Sequence, residues 1–299
     1  MPRKTRGTYY LGRVVKLGQL NNETLIRSLL NPVSISRGKH AWTFIDSKLF
    51  NDEQRHFVFG KLSKYSPDAQ VKVIEPDIRS EVVRGEPNLS IASSPFVYLP
   101  AHSGIVFMHV VPHIPQWMFI KRFCEIILET NGDFFVSCEI ETISDLRTFA
   151  AKLKVLDGIY EISATIFPPN PLFGPLWKPL KDYVDSRRVD TMEIKEEAKG
   201  DNPINPDLPA HVAAAAEQTE AHPYSPREPL PIGDAAILMA ADGYGSGRIE
   251  GKQGDKFIAI STSETVRNFS FDRDPDPVQL YEIAARVFEE IERQRHLEH

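Results

Sequence analysis

Phe96-Val97-Tyr98-Leu99-Pro100-Ala101-His102-Ser103-Gly104-Ile105-Val106-Phe107-Met108-His109-Val110-Val111 decides the fold class of this 299-residue chain. Two β-forming runs flank a short turn built from Pro100, Ser103 and Gly104, which reads as an antiparallel hairpin. The returning run, Ile105–Val111, is apolar at consecutive positions, so both of its faces are buried, as in a central strand.

Upstream, the same signal repeats. Thr8–Gly18 reads as a strand, and Asn22–Leu30 as a short helix with Leu25, Ile26, Leu29 and Leu30 at helical spacing. Ala41–Ile45 and His56–Phe59 form a hairpin around the polar Asn51-Asp52-Glu53-Gln54, and Gln70–Val83 and Leu89–Leu99 are β-rich. Downstream the pattern turns mixed. Pro115 opens a helix that Asn131-Gly132 closes. A strand over 134–141 follows, then a helix capped by Ser144, a strand over Gly158–Phe167 and a helix over Leu172–Val184. These elements predict an α+β fold of mostly antiparallel sheets with packed helices and ferredoxin-like elements, closed by a hairpin over 247–262 and a helix after Asp276-Pro277.

The expected organisation is a basic β-rich region over 1–111 and an α+β region over 112–195 plus 233–296. Residues 196–232, rich in Pro, Ala and Glu, read as a mobile loop or linker. The strands after that stretch lack a core of their own and are expected to return to the preceding sheet. Cys124 and Cys138 sit in apolar runs and read as reduced, buried thiols, and no apolar run approaches the roughly 18 residues needed to cross a bilayer. Without a signal-peptide core the expectation is a cytoplasmic protein with no membrane contact.

The net charge of −6 is unevenly spread. Residues 1–66 carry twelve Lys or Arg against four acids, a balance of +8, and the rest carries 23 bases and 37 acids, a balance of −14. Such asymmetry points to an anionic partner for the basic part. The expected phosphate contacts are Arg3, Lys4, Arg6, Arg13, Lys16, Arg37, Lys39, Arg55, Lys61 and Lys64, interleaved with Tyr9, Tyr10, Trp42, Phe44, Phe50, Phe57, Phe59 and Tyr65. Charge neutralises phosphates and aromatic rings stack on bases. Alternatively the aromatics are the inner face of a sheet, or the cations pair with carboxylates from the acidic remainder.

Three further constellations bear on chemistry. Asp242-Gly243-Tyr244-Gly245-Ser246-Gly247-Arg248 offers alternate glycines for a phosphate cradle, but it fits neither a Walker nor a dinucleotide fingerprint, and a bend or bulge between strands explains it. His109 and His113 are four apart, but a strand and Pro112 deny them helical spacing for one metal. Glu193-Ile194-Lys195, preceded by Asp182, Asp185 and Asp190, is similar to the acid…Glu-x-Lys arrangement of metal-dependent nucleases. Its acids sit on an expected helix, and a solvated charged helix end accounts for them with fewer assumptions. No metal site or cofactor is expected.

Phe167-Pro168-Pro169-Asn170-Pro171, the glycine-rich hairpin from Asp242 to Thr262 and the opening Thr8-Tyr9-Tyr10-Leu11-Gly12 resemble a bacterial family of no assigned activity that is associated with mobile elements and phage defence. The resemblance implies a role in defence or nucleic-acid transactions and transfers no functional residue. The expectation is therefore a nucleic-acid-binding accessory protein with DNA or RNA as partner. A metal-dependent hydrolase, and a protein-interaction subunit or homo-oligomer, stand as alternatives.

Overall fold

The computed structural model describes residues 5–77, 79–132, 135–167, 178–187, 189–204, 207–218 and 230–295. The fold is α+β with mostly antiparallel sheets. Its larger sheet is ordered around β1 (Arg6–Gly18), a strand of 13 residues. On one edge β1 pairs with β6 (Gly104–His109), and beyond it come β5 (Ser80–Leu99), β4 (His56–Glu75), β3 (His40–Asn51) and β2 (Ile35–Arg37). The other edge of β1 is shared. Arg6–Tyr10 pair with β12 (Asn268–Asp272), and Gly12–Gly18 pair with β7 (Val136–Thr142).

Each face of this sheet has its own core. Helices α1 (Asn22–Leu30) and α2 (Gln116–Asn131) bring Leu25, Leu29, Phe119, Phe123 and Ile126 onto Trp42, Phe44, Leu62, Phe96 and Phe107. On the opposite face α7 (Pro277–Arg295) sets Leu280, Ala284, Phe288 and Ile291 against Tyr9, Leu11, Phe57, Val97, Leu99 and Val106. Ile105 to Phe107 are fully buried because β6 lies between β1 and β5 with helices above and below. Phe107 stacks on Phe119 with ring centroids 4.2 Å apart, and burying one such side chain stabilises the fold by about 1.5–3 kcal/mol.

The second core draws on described residues between Leu146 and Ile260. Its sheet runs β11 (Lys256–Ser261), β10 (Gly245–Gln253), β8 (Gly158–Ile166), β9 (Met192–Glu197). Helices α3 (Leu146–Leu153), α4 (Lys178–Arg187), α5 (Leu208–Glu217) and α6 (Ile232–Met239) contribute apolar side chains to this core. All three strand pairings are antiparallel, so β9 and β10, which flank β8, run in the same direction.

The structure corrects several expectations. The boundary at 111/112 is not where the cores divide: α2 and β7 belong to the larger core, and β12 and α7 return to it. The physical reason is the length of β1, which offers enough edge for two successive partners. The 196–232 stretch is not wholly a linker, because α5 forms inside it, with Leu208, Val212 and Ala215 buried at helical spacing. Part of the expected helix over Leu172–Val184, and most of 219–232, lie outside the described residues. The cap of α3 is Asp145, whose carboxylate accepts from Thr148 N at 2.8 Å, while Ser144 Oγ donates to Thr262 O. β4 and β5 are each one continuous strand of 20 residues, paired from Val58–Tyr98 out to Glu75–Ser80. The two cysteines are free thiols; a hydrogen bond to Cys138, together with burial, pushes the Cys124 thiol well up. Among the described residues no helix is long and apolar enough to cross a membrane.

Candidate nucleic-acid interface

The ten cations expected to share one footprint do not share it. Arg3 and Lys4 lie outside the described residues. Arg13 is 2% exposed and works inside the protein. Its Nε donates to Asp242 O at 3.0 Å and its Nη1 to His102 O at 2.7 Å, with Glu292 Oε1 3.9 Å away. The guanidinium plane also lies 4.8 Å from the Tyr244 ring and 5.7 Å from the Phe288 ring. This network ties β1 to α7 and to the turn that follows α6, and so joins the two cores. A buried guanidinium needs such partners, and none of them is solvent-facing phosphate.

Lys16 is half-buried and donates to Ser103 Oγ at 2.7 Å. Burial pulls its pKa from 10.5 down to about 8, opposed by the Cys138 thiol facing it across β7. Arg6 is exposed at the start of β1. Arg55 closes onto Asp52 at 2.8 Å within its own hairpin turn. Lys61 lies 3.2 Å from Asp46 and 3.6 Å from Asp274, the latter from the acidic remainder. Strand alternation explains part of the scatter: Lys61 and Lys64, three apart on β4, point to opposite faces of the sheet.

Arg37, Lys39 and Lys64 do come together, at the corner where β2, β3 and β4 meet α2. Lys64 Nζ and the Arg122 guanidinium each lie 5.5 Å from the Trp42 ring. His40 sits among them: burial, and then the charges of Lys64, His113 and Lys39, hold its pKa below the usual histidine value. Two carboxylates interrupt the corner. Glu125 accepts from Arg37 at 3.2 Å and also from Arg122, and Glu129 is 3.7 Å from Arg37. Four cations thus face two carboxylates, with His40 and His113 as titratable neighbours. Arg122 escaped the sequence reading because it joins the corner only through the tertiary packing of α2.

The expected base-stacking aromatics are mostly core. Tyr9, Trp42, Phe44, Phe57 and Phe59 are buried in the two faces of the large sheet, so Trp42 braces its cations from below instead of meeting a ligand.

The remaining constellations have structural places. Glu193 and Lys195 lie on β9, a strand and not the end of a helix, and line an open cleft of about 290 Å³ with Ser163, Thr165, Ser246 and Arg248. Lys195 is held by Glu161 at 2.9 Å, and Arg248 by Glu250. Among the described residues no group of three His, Cys, Asp or Glu side chains is placed to hold a metal ion. Asp242–Arg248 is a helix-to-strand turn in which Gly243 and Gly245 adopt φ of +84° and +152°. At Gly245 a side chain would meet the Thr165 carbonyl oxygen at 2.0 Å, so glycine is required for the close strand approach.

No protein-family model matches this chain, and no curated protein is detectably similar to it in sequence.

Proposed function

We propose that the protein binds nucleic acid through phosphate contacts made by the corner of Lys39, Lys64 and Arg122. The observation that carries this reading is the convergence of these cations, with Arg37, His40 and His113, on one surface despite a net charge of −6. Lys64 is carried by β4 and Arg122 by α2, and cations that neutralise phosphates release counterions on binding. Because the neighbouring rings are buried, little base stacking is on offer, and the binding is expected to be indifferent to sequence. The resemblance to a phage-defence-associated family makes phage DNA or RNA the first target to try.

The test is fluorescence anisotropy of labelled duplex and single-stranded oligonucleotides. Lys39→Gln/Lys64→Gln/Arg122→Gln is expected to lose at least about tenfold in affinity, in line with removing several phosphate contacts. The control Arg55→Gln/Lys61→Gln is expected to bind like the parent. Binding that is absent, or equal losses in both variants, overturns the reading.

A further inference from the structure

A small cavity lies where the two cores meet. Its volume is about 20 Å³, room for one guest of roughly water size. β1 supplies Arg13 and Lys16 to its wall, the turn between β5 and β6 supplies Ser103, and the turn after α6 supplies Gly243 and Tyr244. Gly243 lets that last turn come close, because a side chain there would meet Arg13 Cγ at 3.1 Å. The glycine-rich stretch thus borders a guest far smaller than a phosphate.

The polar side chains of the wall are donors short of acceptors. Arg13 and Tyr244 are 2% and 5% exposed, yet Arg13 Nη2 and the Tyr244 hydroxyl have no hydrogen-bond partner among the described residues. The other guanidinium nitrogens are already engaged, Nε with Asp242 O and Nη1 with His102 O. Lys16 donates to the neutral Ser103 Oγ at 2.7 Å, and among the described residues no carboxylate pairs with its ammonium. Two acids are near Arg13. Glu292 lies 3.9 Å from Nη1 and holds His102 Nδ1 at 2.8 Å, and Asp242 meets Arg13 through its backbone carbonyl. Neither is among the cavity's lining residues. A buried donor left without an acceptor is costly, and a charged one more so. A water in this space would have to place two protons of its own, whereas a monatomic anion accepts from every side and brings none.

We propose that this cavity is a halide site, taking a chloride ion between the Arg13 guanidinium, the Tyr244 hydroxyl and the Lys16 ammonium. The ion bridges β1 of the larger core to the turn after α6 in the second core, so it stabilises their junction. In chloride-free solution the buried Lys16 charge is uncompensated, and an anion beside it offsets that cost. Phosphate and sulfate are excluded by size. The proposal does not rest on nucleic-acid binding, which uses other cations.

Thermal unfolding in sodium chloride, bromide or gluconate at one ionic strength tests it. A ligand of the folded state alone, at about ten times its dissociation constant, raises the melting temperature by roughly 2–4 °C in a chain of this size. Chloride and bromide are expected to give that rise over gluconate, which is too bulky to enter. Tyr244→Phe keeps the ring beside Arg13 and removes the hydroxyl; it is expected to weaken binding about tenfold and cut the rise to roughly a third. Bromide-soaked crystals of the parent give a readout that needs no variant: an anomalous peak is expected in the cavity, within hydrogen-bond reach of Arg13 Nη2 and Tyr244 Oη. Equal melting temperatures in the three salts, a chloride response that Tyr244→Phe retains in full, or a cavity without bromide overturns the proposal.

Discussion

The substitution Lys16→Met is expected to stabilise the protein near neutral pH and to lose that advantage in alkali. In the folded chain the Lys16 ammonium is half-buried between β1 and β7, and its pKa falls from 10.5 to about 8. Below about pH 8 both folded and unfolded chains carry the charge, and the folded one bears the full cost of desolvating it. Between about pH 8 and 10.5 only the unfolded chain still binds the proton, so stability rises with pH through that window. At about 1.36 kcal/mol per tenfold change in acidity, the cost is about 3 kcal/mol at pH 7 and about 1.4 kcal/mol at pH 9.5. Methionine removes that cost but also the hydrogen bond to Ser103, which contributes about 1.5 kcal/mol. The net expectation is a gain of about 1.5–2 kcal/mol at pH 7, or roughly 3–6 °C in melting temperature, and about no gain at pH 9.5. Urea unfolding followed by tryptophan fluorescence at the two pH values measures it. A difference from the parent that is the same at both pH values, or a loss at pH 7, would refute the reasoning.

Three other outcomes follow from the same geometry. Glu141, buried beside Glu139, has its pKa pushed up to about 7, so its stabilising protonation is complete below about pH 4.5 and lost as pH rises through 7. Glu141→Gln is therefore expected to gain on the parent by up to about 3 kcal/mol at pH 8 and by little at pH 4.5, as read from unfolding curves. Gly245→Ala forces a methyl group into the Thr165 carbonyl at a φ of +152° and is expected to cost about 3 kcal/mol or more, visible as a lowered melting temperature or loss of folded protein on expression. Bound phosphates would favour the charged form of His40, whose pKa burial and the charges of Lys64, His113 and Lys39 hold below the usual histidine value. Oligonucleotide affinity is therefore expected to rise as pH falls from about 7.5 to 5.5, and His40→Gln to flatten that dependence in anisotropy titrations.

Local signals carried the fold further than they carried the site. The Asn21 cap and the spacing of Leu25 and Leu29 define α1, Asp276 and Pro277 start α7, and the doubly apolar Ile105–Met108 is the buried central strand. These features are written in periods of two and 3.6 residues that a neighbouring chain segment does not alter. The destination of an element is a different matter. Nothing in Asn268–Asp272 or Val136–Thr142 says that both pair with β1, because edge choice is settled by which strand end remains free. Helix α5 was legible in Leu208, Val212 and Ala215, which stand at helical spacing within an alanine-rich run, although Pro209 and the surrounding prolines are the composition of a linker. For the site, counting charge along the chain treated sequence proximity as spatial proximity. Arg13 shows why this fails, since a strand buried on both faces carries a cation inward as readily as outward when Glu292 and two backbone carbonyls await it. Arg122, from the acidic remainder, makes the converse point.

The most direct measurement of the central claim is the salt dependence of duplex binding by the parent and by Lys39→Gln/Lys64→Gln/Arg122→Gln. Three phosphate contacts give a slope of log affinity against log salt of about −2.7, which is roughly a 40-fold loss between about 50 and 200 mM. The account predicts that slope for the parent and a slope near zero for the variant. A steep slope that survives all three substitutions would contradict it, because the polyanion would then be held somewhere else on the protein.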